Sequence, residues 1–252
     1  MVDENKQFND LIYGVHPVLE ALKSDKQVDK VYLSRASKDP LITEIINTCR
    51  YLQIPYLFVP AEKLNRLTRK NHQGVAAFVS PVGYYSLEQI LPGLFEQGTD
   101  PFLLILDRVT DVRNFGAIAR TAEAAGVHAI VIPSRGSVSI GADALKTSAG
   151  ALMRVKVCRE PNLKNSLEYL KLSGLTIISV TEKSTDILYD VILSGPLALI
   201  LGSEEDGISG EYLRKSDHLL AIPMQGSLAS LNVGVAAGIA MFEVVRQRNK
   251  KT

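Results

Sequence analysis

The sequence predicts an α/β protein, a mostly parallel sheet with helices on both faces, preceded by a smaller α/β unit. Three observations carry this. Six short apolar strands, FLLILD, HAIVIP, RVKVC, LTIISV, LALILG and HLLAIP, follow one another from residue 101 onward. Stretches of helical period separate most of them. The strands are apolar almost throughout, the pattern of burial on both faces and hence of parallel pairing.

The smaller unit spans 11–82. LIYGVHPVLEALKS starts with a turn and runs into a helix. KVYLS (30–34) reads as a strand. DPLITEIINTCRYLQ is helical, with apolar residues at 41, 42, 45, 46 and 49. IPYLFV is a strand, AEKLNRLTR a short helix and GVAAFVS (74–80) a final strand. GYYSLEQILPGLFEQGTD (83–100) is rich in turn residues and reads as a linker. The expected division is therefore 1–82, a linker, and 101–252. A long helix over about 232–248 closes the chain. Its basic end, Arg246, Arg248, Lys250 and Lys251, suits the negative pole of the helix dipole. Gly234, Ala236, Ala237, Gly238 and Ala240 make it unusually rich in small residues. Each Gly costs about 1 kcal/mol relative to Ala. Close packing against another backbone, in this chain or a second one, would offset that.

Composition narrows the function. The chain has 252 residues, 46% hydrophobic and 22% charged, ordinary for a globular protein with room for two cores. The net charge is +1, so contact with a polyanion must rest on a local patch. KLNRLTRKNHQ (63–73) is the best one, with Lys63, Arg66, Arg69, Lys70 and His72 and no acid. Two distant cysteines, Cys49 and Cys158, and four scattered histidines show no metal-ligand spacing and no disulfide framework. No metal is expected, and a reducing compartment is. The opening MVDENKQFND is polar and acidic, unlike a signal peptide. The apolar stretch VGVAAGIAMF (233–242) is too short to span a bilayer. A cytoplasmic location and no membrane contact are expected.

In parallel sheets ligands sit at the carboxyl ends of strands. After FLLILD come Asn114 and Arg120. After LALILG comes GSEEDGISG, with Glu204 two residues past Gly202. After HLLAIP comes MQGSLASLN, with Ser230 and Asn232. Leu201, Ile222 and Leu231 flank these loops and suit a flat ring. There is no glycine fingerprint for a dinucleotide or a triphosphate, which argues against a nicotinamide-dependent oxidoreductase. By residue type alone, Asn114, Ser230 and Asn232 also fit helix caps. Arg120 also fits an exposed helix residue paired with Glu123 or Glu204.

The three loops, DRVTDVRNFGAIARTA, LGSEEDGI and IPMQGSLASLNV, resemble the three motifs of the SpoU branch of the SPOUT RNA methyltransferases. The resemblance covers about 101–248. IYGVHPVLEAL and NHQGVAA are similar to the ends of the small RNA-binding domain found in many members. The ending SLNV…GI…FE.VRQR is most like members that methylate a guanosine ribose in bacterial 23S ribosomal RNA. The resemblance implies a trefoil knot in the C-terminal chain, bound S-adenosylmethionine and a homodimer formed through the C-terminal domain. It implies methylation of a ribose 2′-hydroxyl, with Asn114, Arg120, Glu204, Ser230 and Asn232 at the reacting groups. Gly202 would allow close backbone approach, Ile222 and Leu231 would pack on the adenine, and Thr181 would reach the same pocket. Lys63, Arg66, Arg69 and Lys70 would meet RNA. A free guanidinium stays protonated, so Arg120 fits a phosphate-binding and alkoxide-stabilising cation better than a base. A transfer RNA target and a non-catalytic ribosome-assembly role are the alternatives. Gly234 departs from the Ser that commonly follows SLNV in the family.

Overall fold

The computed structural model describes residues 11–24, 26–37, 39–228 and 230–249. Expectations for the opening MVDENKQFND, and for Lys250 and Lys251, lie outside them. The described residues fall into two compact units, one up to 83 with 139–143, the other from 84–138 and from 144 onward.

The first unit runs β1 (Leu11–Tyr13), α1 (Val15–Lys23), β2 (Val28–Ser34), α2 (Leu41–Tyr51), β3 (Tyr56–Val59), α3 (Ala61–Leu67) and β4 (Val75–Val79). Its sheet has the order β1-β4-β2-β3, with β2 and β3 parallel and the other pairings antiparallel. The expected opening turn is instead β1, paired to β4 with Leu11 opposite Phe78. Val18, Leu22, Ile45 and Cys49, from α1 and α2, bury against Val31, Leu33 and Ala77 of the sheet. Leu64 of α3 packs with Val59 and Ala76 in a second, smaller cluster.

The second unit begins with β5 (Tyr84–Tyr85) and α4 (Leu87–Glu96). These replace the expected linker. β5 pairs with a strand of the large sheet, and Leu87, Ile90 and Leu91 enter the core. A capping box between Ser86 and Gln89 starts the helix. Then follow β6 (Phe102–Leu106), α5 (Val112–Ala124), β7 (Ala129–Pro133), α6 (Ala142–Thr147), β8 (Lys156–Glu160), α7 (Leu163–Leu172), β9 (Thr176–Val180), β10 (Leu197–Leu201), α8 (Gly210–Leu213), β11 (His218–Leu220) and α9 (Val233–Asn249). The six apolar runs are β6 to β11. The order is β11-β9-β10-β6-β7-β8-β5, and every pairing in it is parallel.

The strand side chains alternate between two buried faces. Leu103, Ile105, Ala129 and Val131 pack with α4 and α7. Leu104, Leu106 and Ile130 are equally buried by the other face. α9 lies against β10 and against α5. The small residues of α9 therefore meet α5 of the same chain, where a Cβ on Gly238 would stand 3.7 Å from Thr121. Arg248 does more than face a dipole. Its guanidinium donates to the carbonyls of Asp100, Pro101 and Gly195, which ties the end of α9 to the segments before β6 and β10.

Candidate active site

The winding of the large sheet reverses at β6. The chain steps from β6 to β7 and β8 on one side, while β10, β9 and β11 lie on the other. The crevice at the carboxyl ends of β6 and β10 is where such sheets bind ligands. Loops leaving β6, β9, β10 and β11 build it.

The β6 loop leads into α5. Asp111 is the N-cap, its carboxylate accepting the amide of Asn114 at 2.8 Å. Asn114 is therefore in the first turn and is not the cap. Its side chain is left to face the cleft. There Asn232 Nδ2 donates to Asn114 Oδ1 at 3.0 Å and to Glu204 Oε1 at 2.5 Å. Asn232 Oδ1 accepts the amides of Gly234 at 3.0 Å and Val235 at 3.3 Å, which caps α9. The cap and the bonds to Asn114 and Glu204 are made by one side chain at once. Both hydrogens of its amide group and its oxygen are engaged, so the side chain has one orientation. Three loops distant in sequence converge on this cluster.

Two cavities flank it. The larger, about 500 Å³, is lined by Arg108, Thr110, Asp111, Asn114, Glu204 and Val233, among others. The second, about 250 Å³, is lined by Thr181, Gly202, Ser230, Leu231 and neighbours. A small apolar recess with Ile222, Thr181 and Leu231 adjoins it. So Thr181, Gly202, Ile222 and Leu231 come together, with Ser230 at the same wall. Residues Ser203 to Asp206 line both cavities and separate them. Thr181 is buried, and its hydroxyl accepts the Lys183 amide. A recess with aliphatic walls and exposed loop backbone fits an adenosine-bearing cofactor.

Gly202 serves close approach, but to its own loop. A Cβ there would stand 2.0 Å from the carbonyl carbon of Gly207. The Gly207 amide donates to Ser203 O at 3.0 Å, which closes the turn that carries Glu204.

Arg120 stands apart from the cluster. It is exposed on α5, and among the described residues it has no hydrogen bond or ion pair. The two acids considered as its partners are engaged elsewhere, Glu123 with Arg154 at 2.7 Å and Glu204 with Asn232. Six residues separate Arg120 from Asn114. At about 100° per residue this turns its side chain well away from the cleft.

Sequence reasoning missed Asp107 and Arg108. Asp107 is buried, and its Oδ2 accepts both the amide and the hydroxyl of Ser209 at 2.7 Å. Arg108 Nε donates to Asp107 Oδ1 at 3.1 Å. The hydrogen bond to Asp107 raises the Arg108 pKa further above its ordinary value. An acid ending an apolar strand was the available signal. Glu182 and Lys183, which follow β9, also line the second cavity. Burial pushes both cysteine thiols up to about 12, so neither is a nucleophile.

In the first unit, Lys63 and Arg66 lie on α3, with Arg69 and Lys70 just after it. Lys63 Nζ stands 5.3 Å from the Tyr32 ring centre and Lys70 Nζ 5.9 Å from that of Tyr13. The basic residues and two aromatic rings form one surface. Among the described residues there is no His, Cys, Asp and Glu group able to hold a metal ion, and no helix is long and apolar enough to cross a membrane.

Residues 101–242 match the family described as SpoU rRNA Methylase. Residues 11–85 match the one described as RNA 2′-O ribose methyltransferase substrate binding. The chain is 37% identical over 243 residues to the 23S rRNA (guanosine-2′-O-)-methyltransferase RlmB of Photorhabdus laumondii, covering 96% of this chain and 99% of that one. It is 35% identical over 243 residues to YacO of Bacillus subtilis, named for the TrmH family of tRNA/rRNA methyltransferases, covering 96% and 98%. In fold it is similar to the SpoU methyltransferase AviRb of Streptomyces viridochromogenes in complex with AdoMet, at a TM-score of 0.60 and 23% identity over 95% of this chain and 90% of that one.

Proposed function

The chain belongs to the SpoU rRNA Methylase family, and on that premise we propose that it methylates the ribose 2′-hydroxyl of a guanosine in 23S ribosomal RNA. It is an RNA 2′-O-methyltransferase whose methyl donor is S-adenosylmethionine. The observation that carries the site assignment is the meeting of Asn114, Glu204 and Asn232 beside a recess lined by Thr181, Gly202, Ile222 and Leu231.

S-adenosylmethionine supplies a methyl group already activated for displacement by an oxygen nucleophile. The chain's own residues supply orientation and charge. Thr181, Ile222 and Leu231 hold the adenosine end, with backbone groups of the Gly202 loop. Asn232 fixes Asn114 and Glu204 in one arrangement. Asn114 Nδ2 then remains to donate to the ribose, and the second Glu204 oxygen to accept from it. Ser230 adds a hydroxyl on the wall common to the second cavity and its recess. Arg120 is a permanently charged group without a partner among the described residues. It is suited to a backbone phosphate of the RNA. Lys63, Arg66, Arg69 and Lys70 hold other phosphates of the RNA.

The same reading includes a homodimer and the knotted path of the family. The outer side of α9 supports the dimer, since Val235 and Phe242 are about half exposed there. The same reading has the enzyme in the cytoplasm, and among the described residues no helix is long and apolar enough to cross a membrane.

The test is methyl transfer from labelled S-adenosylmethionine to 23S ribosomal RNA and to transfer RNA. Resistance to alkaline cleavage maps the product. Transfer to a guanosine ribose of 23S RNA is expected. Arg120→Ala is expected to abolish most of it while moving stability by no more than about 0.5 kcal/mol, as for an exposed residue. Transfer to transfer RNA instead would overturn the substrate. No transfer to either would overturn the reading.

A further inference from the structure

The loop from Ser203 to Gly207 is the shared wall of the two cavities and carries Glu204. Its own contacts are few: the Ser203–Gly207 turn and the Asp206 amide on Ser203 Oγ at 3.2 Å. Asn232 holds the Glu204 side chain at its middle, and the rest of its anchoring comes from one side chain about a hundred residues earlier. Arg108 Nη1 donates to Asp206 Oδ2 at 2.8 Å, and Nη2 donates to Gly207 O at 3.1 Å. The third arm, Nε, is held by Asp107, which also fixes Ser209 at the far side of the loop.

The backbone shows that this side chain is retained at a cost. Arg108 has φ +58°, the left-handed region that favours glycine. Residues kept there by surrounding contacts cluster at functional sites. Here the compensation is visible, three guanidinium nitrogens bonded to one loop and its support. A forked planar cation holds a position more rigidly than a single-point contact.

The geometry points to Arg108, seated on Asp107, as the positioning residue of the Ser203–Gly207 wall. It sets where Glu204 meets the ribose and where the cofactor recess ends. This rests on the assignment of the larger cavity to the ribose and the smaller to the cofactor. Arg108 touches neither reacting group. It lines the larger cavity with its three guanidinium nitrogens already bonded to the loop and its support.

The experiment compares the full-length wild type with Arg108→Gly and Arg108→Lys. Gly relieves the backbone and removes the clamp, while Lys keeps one donor. Steady-state transfer to 23S RNA is measured across RNA and salt concentrations. S-adenosylmethionine affinity and stoichiometry are measured by calorimetry. Arg108→Gly should lower kcat by about 10- to 100-fold, the scale of a small misplacement of reacting groups. The RNA KM and its salt dependence should stay close to wild type. Cofactor affinity should fall several-fold with stoichiometry unchanged, a change that partial unfolding does not produce. Arg108→Lys should recover part of the rate.

A raised RNA KM with a shallower salt dependence would make Arg108 a phosphate ligand and overturn the proposal. So would wild-type kcat and cofactor affinity in Arg108→Gly. If the wild type itself methylates no RNA, the functional reading fails on its own, and the cofactor affinity of Arg108→Gly still decides the clamp. Unchanged affinity rejects it, and weakened affinity at full stoichiometry upholds it.

Discussion

At the scale of single residues, Asn232 concentrates the most consequence. Its oxygen caps α9 and its amide hydrogens hold Asn114 and Glu204. One substitution separates these tasks. Asn232→Asp keeps an N-cap acceptor, which is as good as Asn in that position. It removes the donor and sets a second carboxylate against Glu204. Thermal unfolding should move by no more than a few degrees, while methyl transfer should fall by about 10²-fold or more, the scale of losing one oriented donor. Loss of both together would mean that the cap is the main task. The functional types here were legible because Asn, Glu and Ser at strand ends are visible in the chain. Their mutual bonds were not, since residues 114, 204 and 232 share no local pattern.

At the scale of elements, helix packing against strands and neighbouring helices sets the tolerances. Gly116 of α5 is buried, and a Cβ there would stand 2.5 Å from Thr147 Cβ. Gly116→Ala should therefore destabilise the fold by about 1–3 kcal/mol despite the gain in helix propensity, as overpacking does. Denaturant unfolding measures it. Glu160 links β8 to α4 and α7. Its Oε1 accepts the Leu87 amide at 2.9 Å and its Oε2 the Ser166 hydroxyl at 3.1 Å. Burial raises its pKa above the usual 4.5, against those two hydrogen bonds. A raised folded pKa means that the protonated form is favoured by folding. The contribution is complete below the unfolded value and is lost as pH rises through the folded one. Glu160→Gln stays neutral throughout. Its stability relative to wild type should rise as pH climbs from below 4.5 toward neutrality, followed by urea unfolding at each pH. A flat difference would show that the carboxylate is not penalised by its burial.

At the scale of the whole molecule, Arg120, the cation proposed for the RNA, does not join the cluster of Asn114, Glu204 and Asn232. Arg120 is turned away from the cleft on an exposed flank of α5, the helix against which α9 packs. The outer side of α9 carries Val235, in the first turn, and Phe242, near the middle, at 51% and 48% exposure. A second copy covering this face is the proposed dimer. Phe242→Glu should then halve the mass seen by light scattering and reduce transfer, with the monomer still folded by circular dichroism. An unchanged mass, whether one copy or two, would remove α9 from the interface.

The sequence by itself determined the six parallel strands, the closing helix and the polar loops that form the candidate site. Burial on both faces forces a continuous apolar run, and a ligand at a strand end forces polar residues just after it. Both leave a local trace. Tertiary structure decided the rest. It made 84–100 part of the large unit and 11–13 a strand, because two- and three-residue strands are too short to show a period. It put β10 beside β6, nearly a hundred residues away, so that Arg108 could reach Gly207. It turned Arg120 away from Asn114, because helical rotation, not nearness in the chain, decides which side chains share a face.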